Sequence, residues 1–424
     1  MTARDPGTTP APLTLVVLCP HFEPDTAPTG AVMTRLVHEL GALGHEIHVV
    51  TSLPWYRDHR IDPAWSAVGW RNRTSVTEFG SVTRVSPFAG TDRRNLLRRA
   101  VGFVGFSVLS VGAALGVRPR RRVDAVIAMS PPLTLGLCGW LVSLIRRCPL
   151  VFNIQDVFPD AAVETGAITN RAVIAAARML ERVSYRVSDA VTVLSDDLRD
   201  NVAAKMSTRR RDKVVVIPNF VDTEAVRPMS ADTDYRRELG LDQRPVVMYA
   251  GNVGFSQSLD LLVEAARRRP GYQFVINGSG SARSALEKSA ANLENLVFGD
   301  YQPASRLGEV LATGDVHVVP LRAGLGRVSV PSKTYSIMAA GRPIVAAVDD
   351  GTEVTRLVRA CDGGRCVPPD DVDAFVSALD ELLSDEVAGG ERITGMGARA
   401  RAFVLSIASP RAVADTYDDL IRSL

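Results

Sequence analysis

Lys333 is the residue whose position most needs a chemical explanation. It follows Pro331 and Ser332 in DVHVVPLRAGLGRVSVPSKTYSIMAAGRPIVAAV, residues 315–348, and Pro-Ser reads as a helix start. A helix's first turn carries unpaired backbone N–H groups and the positive end of the dipole, so a lysine there is unfavourable unless an anion shares the site. Arg322 and Arg327 lie in the Gly-rich loop just before it. The expectation is a phosphate site in which Lys333, Arg327 and the helix start grip a diphosphate at the carboxyl end of a parallel sheet. A solvated surface lysine is the alternative. A second group with chemical potential is Asp156, with Asp160, in NIQDVFPD after the apolar run Leu150–Ile154. Polar groups at the end of a parallel strand are placed for reaction, and equally for capping the next turn. Gly30, Gly278 and Gly280 stand where a ligand can closely approach the backbone or where a tight turn is made; G-x-G-x-x-G is absent.

These residues need a scaffold, and the apolar periodicity supplies one. Leu13–Leu18 reads as a buried strand, the helical spacing of Val32, Leu36, Val37, Leu40 and Leu43 as a helix ended by Gly44, and Ile47–Thr51 as a returning strand. Further strands are expected at Asp124–Met129, Leu150–Ile154, Ala190–Leu194 and Val214–Ile217, with helices between them. The same alternation resumes at Val246–Ala250, Tyr272–Ile276 and Asn295–Phe298 and runs through residues 315–348, where Gly341 and Pro343 end the helix. This is the pattern of doubly wound α/β domains. A length of 424 residues implies two: residues 13–218, a linker at 219–244, residues 245–408, and a terminal helix at 409–424. The aromatic, turn-rich stretch 54–90 reads as an acceptor-side insertion or as packed connections.

Composition narrows the function classes. Hydrophobic content of 46% and net charge +2, with mean hydropathy +0.07, describe a globular chain and give no reason to expect nucleic acid. Five cysteines without a C-x-x-C pair, and no H-E-x-x-H, favour a reducing compartment without structural zinc. The polar, Pro-rich residues 1–12 read as a disordered tail and not as a secretory signal. Between Arg93 and Arg122 an uncharged segment, Ala100–Val117, is flanked by arginines. It reads as a buried core helix, as a helix on an anionic membrane surface or as a span.

Over nearly its whole length the chain resembles the family 4 glycosyltransferases of GT-B fold. The resemblance rests on GAVMTRLVHELGALGHEIHVVT (30–51), IPNFVD (217–222), YAGNVG (249–254), NGSG (277–280), NLVFG (295–299) and the Pro331–Pro343 segment. NIQDVFPD and VPSKTYSIMAAGRP are similar to the branch of N-acetylfucosaminyl transferases of O-antigen and capsule assembly. The resemblance implies two Rossmann-like doubly wound domains facing a cleft, and retaining transfer of a hexosyl or N-acetylhexosaminyl group from a nucleotide-sugar without metal or other cofactor. It implies a lipid-linked or glycan acceptor and a last helix that returns toward the first domain. With the arginine clusters, it places the chain in the cytoplasm, peripheral on the inner face of the cell membrane. Carried over by position, the donor side takes Gly30, Asn252, Gly278, Gly280, Tyr301, Arg327, Ser332, Lys333 and Ser336. The acceptor side takes His21 and Gln155, and Asp156 with Lys333 stands at the reacting centre. The chain departs from the family pattern at Val328 and Ser336, where the E-x7-E motif has glutamates, at Asn252 and Gln257, where a basic pair is usual, and at Gln155, where histidine is usual. Arg322, Arg327 and Lys333 are then the candidates for the missing positive charge. A GT-B nucleotide-sugar epimerase and a non-catalytic membrane- and nucleotide-binding homologue are the alternatives.

Overall fold

A computed structural model describes residues 11–25, 27–55, 61–62, 64–65, 73–86, 96–157, 159–160, 170–325, 332–383 and 386–424. The chain divides into two compact units, residues 1–218 with 413–424, and residues 219–412.

In unit 1 the chain alternates strand and helix as β1 (Thr14–Leu18), α1 (Pro28–Ala42), β2 (Glu46–Ser52), β3 (Arg73–Thr77), β4 (Gly80–Val85), α2 (Leu96–Gly116), β5 (Ala125–Ser130), α3 (Thr134–Arg146), β6 (Leu150–Ile154), α4 (Arg171–Val187), β7 (Ala190–Val193), α5 (Asp196–Ala204) and β8 (Val214–Val216). Among the described residues the strands form one sheet of order β3-β4-β2-β1-β5-β6-β7-β8, parallel except for β3. Residues Leu15 to Leu18 and Ala125 to Met129 are wholly buried, as continuous apolar runs in a parallel sheet covered on both faces must be. Within the stretch 54–90, read as an acceptor-side insertion or as packed connections, β3 and β4 form a hairpin that extends the sheet, which neither reading specified. Its short Thr- and Ser-rich strands, with few apolar residues, gave little periodic signal.

Unit 2 contains α6 (Asp234–Glu238), β9 (Val246–Ala250), α7 (Asp260–Arg268), β10 (Gln273–Asn277), α8 (Arg283–Ser289), β11 (Leu296–Gly299), α9 (Leu307–Thr313), β12 (Val316–Pro320), α10 (Lys333–Ala339), β13 (Ile344–Ala347), α11 (Glu353–Ala360), β14 (Gly364–Val367), α12 (Val372–Leu383) and α13 (Glu386–Ala408). The strand order is β11-β10-β9-β12-β13-β14, all parallel. Renumbered within the unit this is 3-2-1-4-5-6, the doubly wound order that leaves a crevice where the winding reverses, here between β9 and β12. The compositional break at 219–244 carries α6, and it buries Val221, Val226 and Tyr235 in the apolar clusters of this unit.

The last helix, α14 (Pro410–Ser423), belongs to unit 1 from Val413 onward. Asn153 of β6 donates to the Tyr417 hydroxyl at 2.7 Å, and that hydroxyl lies 3.1 Å from Thr192 of β7. His45 Nδ1 accepts from the Leu13 N–H at 3.1 Å, which leaves its protonated Nε2 facing the buried Asp418 carboxylate, also at 3.1 Å.

Candidate active site

The reversal of winding in unit 2 brings the β9 and β12 loops side by side, and Lys333 is the charged group that results. Its Nζ lies 3.8 Å from the centroid of the Tyr249 ring, and a Cβ added at Gly251 would stand 3.0 Å from it. Tyr249 is wholly buried, and its hydroxyl donates to the Asn252 carbonyl, so the loop fixes the ring whose face the ammonium covers. Burial pulls Lys333 down to about 7, while the ring's negative face favours the charged form. Among the described residues no hydrogen bond or ion pair partners this ammonium. The helix behind it, α10, has seven residues. Desolvation therefore sets the cost of this charge more than the dipole of so short a helix does.

Around Lys333 the strand-end loops are fastened to one another. Gly251 N–H donates to Asn277 O and Val253 N–H to Ser279 O, both at 2.9 Å, and Gly278 N–H donates to Gly299 O at 3.0 Å. The approach is so close that a Cβ at Gly278, with φ of +134°, would lie 1.9 Å from Gly251 O, and one at Gly280 would lie 2.3 Å from Val253 O. Packing of protein on protein thus accounts for both glycines. Arg283 Nη1 donates to Gly278 O at 2.6 Å, Gly299 O at 3.0 Å and Asp300 Oδ1 at 2.7 Å, holding the loop from which exposed Tyr301 projects. Tyr235 reaches the same place, its hydroxyl donating to Asn277 Oδ1. Tyr249, Arg283 and Tyr235 were not singled out from sequence. Their partners lie in other strand-end loops, and only the membership of Tyr249 in YAGNVG hinted at a role.

The remaining donor-side residues divide. Asn252 faces Gly280, its Oδ1 2.9 Å from where a Cβ would stand, and Gln257 accepts from the Gly254 N–H at 3.0 Å. Ser332 is exposed at the start of α10, and Ser336 is half-buried one turn on. Arg327 and Val328 lie outside the described residues. Arg322 donates to Phe255 O at 2.8 Å and to Asp260 Oδ2 at 3.1 Å in an exposed ion pair, so part of its charge is already matched.

In unit 1, His21 and Gly30 come together at the end of β1. A Cβ at Gly30 would lie 2.8 Å from His21 Cβ, so the glycine lets α1 start against the His21 loop. His21 Nδ1 is 2.6 Å from Asp25 Oδ2, and its ring is 5.3 Å from that of Trp55. Gln155 is buried and donates to Asn153 Oδ1 at 2.9 Å, which links it through Asn153 to Tyr417; it faces into the fold. Asp156 reaches solvent, yet protein mass around the carboxyl raises its pKa by desolvation. Asp160 pairs at 2.6 Å with Lys205, which also holds the buried Glu181 at 2.7 Å, so it belongs to a structural network. Among the described residues no cluster of three or more His, Cys, Asp or Glu side chains is placed to hold a metal ion.

Comparison with known proteins agrees with this architecture. Over 374 residues the chain is 27% identical to the Escherichia coli K12 protein named colanic acid biosynthesis glycosyl transferase WcaI, covering 86% of this chain and 90% of the relative. Sucrose-phosphate synthase from Thermosynechococcus elongatus superposes with a TM-score of 0.69 at 17% identity, covering 97% of this chain and 98% of that one. HepE of Anabaena, solved in complex with UDP, superposes with a TM-score of 0.65 at 14% identity, covering 97% of this chain and all of that one. Residues 29–219 match a glycosyl transferase 4-like domain and residues 244–385 match the glycosyl transferases group 1 domain. Both halves are thus matched in order on a GT-B scaffold, and the chain is similar to the glycosyl transferase 4-like domain over its first half and to the group 1 domain over its second.

Proposed function

We propose that the protein transfers a hexosyl or N-acetylhexosaminyl group from a nucleotide-sugar to a lipid-linked or glycan acceptor, with retention at the anomeric carbon and without a metal, at the inner face of the cell membrane. The observation that carries this reading is Lys333, a half-buried cation over Tyr249, without an anionic partner among the described residues, at the point where the unit 2 sheet reverses its winding. A diphosphate there receives a charge-assisted contact. As the bond from sugar to phosphate breaks, negative charge accumulates on the departing oxygen, and an ammonium already in place stabilises that state more than the ground state. Asp156 is assigned to the reacting sugar, Tyr301 to the base side, and His21 to the acceptor side. The names of WcaI, a colanic acid biosynthesis transferase, and of the UDP complex of HepE support a polysaccharide acceptor and a nucleoside-diphosphate leaving group. The N-acetylfucosaminyl-like segments support an N-acetylhexosaminyl donor.

Calorimetric titration of a panel of nucleoside diphosphates tests the site. A charge-assisted contact contributes about 1.5–3 kcal/mol, so Lys333→Ala should weaken binding by roughly one to two orders of magnitude. Unchanged affinity removes Lys333 from the phosphate site. Product analysis with and without acceptor then separates transfer from epimerisation, and the anomeric configuration of the product tests retention.

A further inference from the structure

Two helices of unit 1 expose several of their large apolar residues. α3 buries Leu135 and Val142 together with Gly136, Gly139 and Ser143, and a Cβ at Gly136 would lie 2.7 Å from Ser184 Cβ of α4, one at Gly139 2.9 Å from Ala128 Cβ. The opposite side of the same helix presents Trp140 and Leu141, with Leu144 at 59% and Ile145 at 54% exposure. α4 repeats this exposure. It buries Glu181, Ser184 and Tyr185, and its exposed stripe is Ala172, Ala176, Met179 and Val183, with Met179 at 67%, at i, i+4, i+7 and i+11 as one helix face requires. α2 adds exposed Val104 and Val108 and is tied to α3 by Ser107 Oγ, 2.6 Å from Thr134 Oγ1. A contiguous face of this kind on adjacent helices marks an interaction surface more than a scatter of single residues does.

Charge on this face has one sign. α2 and α3 contain no Asp or Glu, and the single acidic residue of α4, Glu181, is buried and neutralised by Lys205. Arg171, Arg178, Arg182 and Arg186 stand exposed along α4, and Arg147 after α3. A second copy of the chain meeting this face about a two-fold axis would set arginine against arginine, which disfavours a homodimer. Among the described residues no helix is long and apolar enough to cross a membrane. We propose that the outward faces of α3 and α4, flanked by α2, dock on an anionic lipid bilayer, with Trp140, Leu144, Ile145 and Met179 entering the acyl boundary and the α4 arginines engaging headgroup phosphates. This moves the membrane contact expected at Arg93–Arg122 onto the next two helices. Arg93 and Arg94 lie outside the described residues, and α2 spends Phe106, Ala113 and Ala114 on the core.

Flotation of the full chain with phosphatidylglycerol–phosphatidylcholine vesicles tests the proposal. The wild type should bind at low salt, weaken as salt rises, and bind phosphatidylcholine alone poorly. The double variant L144E/I145E, altered only at exposed positions, should lose ten-fold or more in affinity while keeping its melting temperature. R178Q/R182Q/R186Q should lose roughly five-fold per arginine. Equal binding by L144E/I145E, no vesicle binding by the wild type at low salt, or a lipid-free wild-type dimer that L144E/I145E dissociates would each overturn it, the last by assigning the face to a second copy. The inference rests on the membrane-facing part of the proposed function; a wild type that fails to bind vesicles yet keeps its nucleoside-diphosphate affinity would strike the docking surface and leave the nucleotide site standing.

Discussion

Replacing Lys333 with methionine keeps most of the stem and removes the charge, so it should abolish a proton exchange that the wild type performs on binding a nucleoside diphosphate. In the free protein burial holds Lys333 at about 7. The Tyr249 face, 3.8 Å away, favours the ammonium and so works against that burial. A bound diphosphate restores the ordinary lysine range, because an opposite charge in contact favours the ionised form. Near pH 9 the wild type should therefore take up to about one proton per nucleotide bound, and near pH 6 about none at this site. Calorimetry in two buffers of contrasting ionisation enthalpy reads the uptake directly, and the methionine variant subtracts the nucleotide's own protonation.

The same shift fixes the sign of a stability effect. The folded-state pKa lies below the unfolded value of 10.5, so the unfolded chain binds more protons between about pH 7 and 10.5, and the free wild type gains stability as pH rises through that window. Below it the whole cost of the buried charge, up to a few kcal/mol, persists. Ligand-free Lys333→Met should accordingly melt higher than the wild type at neutral pH, with the difference closing toward pH 10.5. Binding heats of the wild type that do not depend on buffer near pH 9, or a methionine variant that binds nucleotide as tightly as the wild type, would refute the reasoning.

Three further outcomes are expected. Asp156→Asn should lower turnover by roughly 10²-fold with little change in donor affinity, as measured by steady-state kinetics beside calorimetry; an unchanged rate returns Asp156 to a turn residue. Lys205→Met leaves Glu181 buried without its cation and should cost about 3–5 kcal/mol in denaturant unfolding at neutral pH. The loss should shrink in acid, where Glu181, its pKa already raised by burial, takes up a proton; a loss that does not depend on pH would contradict the pairing. Gly278→Ala forces a Cβ onto the Gly251 carbonyl and should destabilise the protein by several kcal/mol while weakening nucleotide binding, and a variant of wild-type stability would show that the loops can part.

Most strands of both sheets were legible because a buried parallel strand is usually a continuous apolar run bounded by turn residues, a signal carried within five or so neighbours; β14, whose sequence GRCV is short and only partly buried, was not. The β3–β4 hairpin was not either, since β3 is a largely exposed edge strand and the buried run of β4 mixes Thr and Arg with Val, so neither gives an apolar run. Side-chain partners were not legible for a related reason. Arg322 sits in a loop that reads as basic, yet its carboxylate partner Asp260 is 62 residues away. Gln155 reads as a strand-end group available for chemistry, and it is occupied by Asn153, whose own amide reaches Tyr417 across 264 residues. A side chain's availability is a property of partners that only the fold assembles.

Lys333 shows the other half of that rule. The sequence-based expectation of an anion site rested on the helix dipole, and α10 is too short for the dipole to carry it; the cost of the charge comes from burial against the strand-end loops. The proposed anion site therefore rests on a different physical cause. For α3 and α4 the contrast is sharper. Hydrophobic periodicity locates an apolar face without saying which way it turns, and by default Trp140, Leu144 and Ile145 would be assigned inward. Glycines decide otherwise, because the α3 backbone approaches Ala128, Leu150 and Ser184 at distances that leave no room for a Cβ, and a helix pressed that closely at its glycines turns Trp140, Leu144 and Ile145 elsewhere. A Gly136→Leu change would therefore disrupt unit 1, whereas Leu144→Ala, which keeps a helix-forming residue, would leave its core intact and act on whatever the outer face binds.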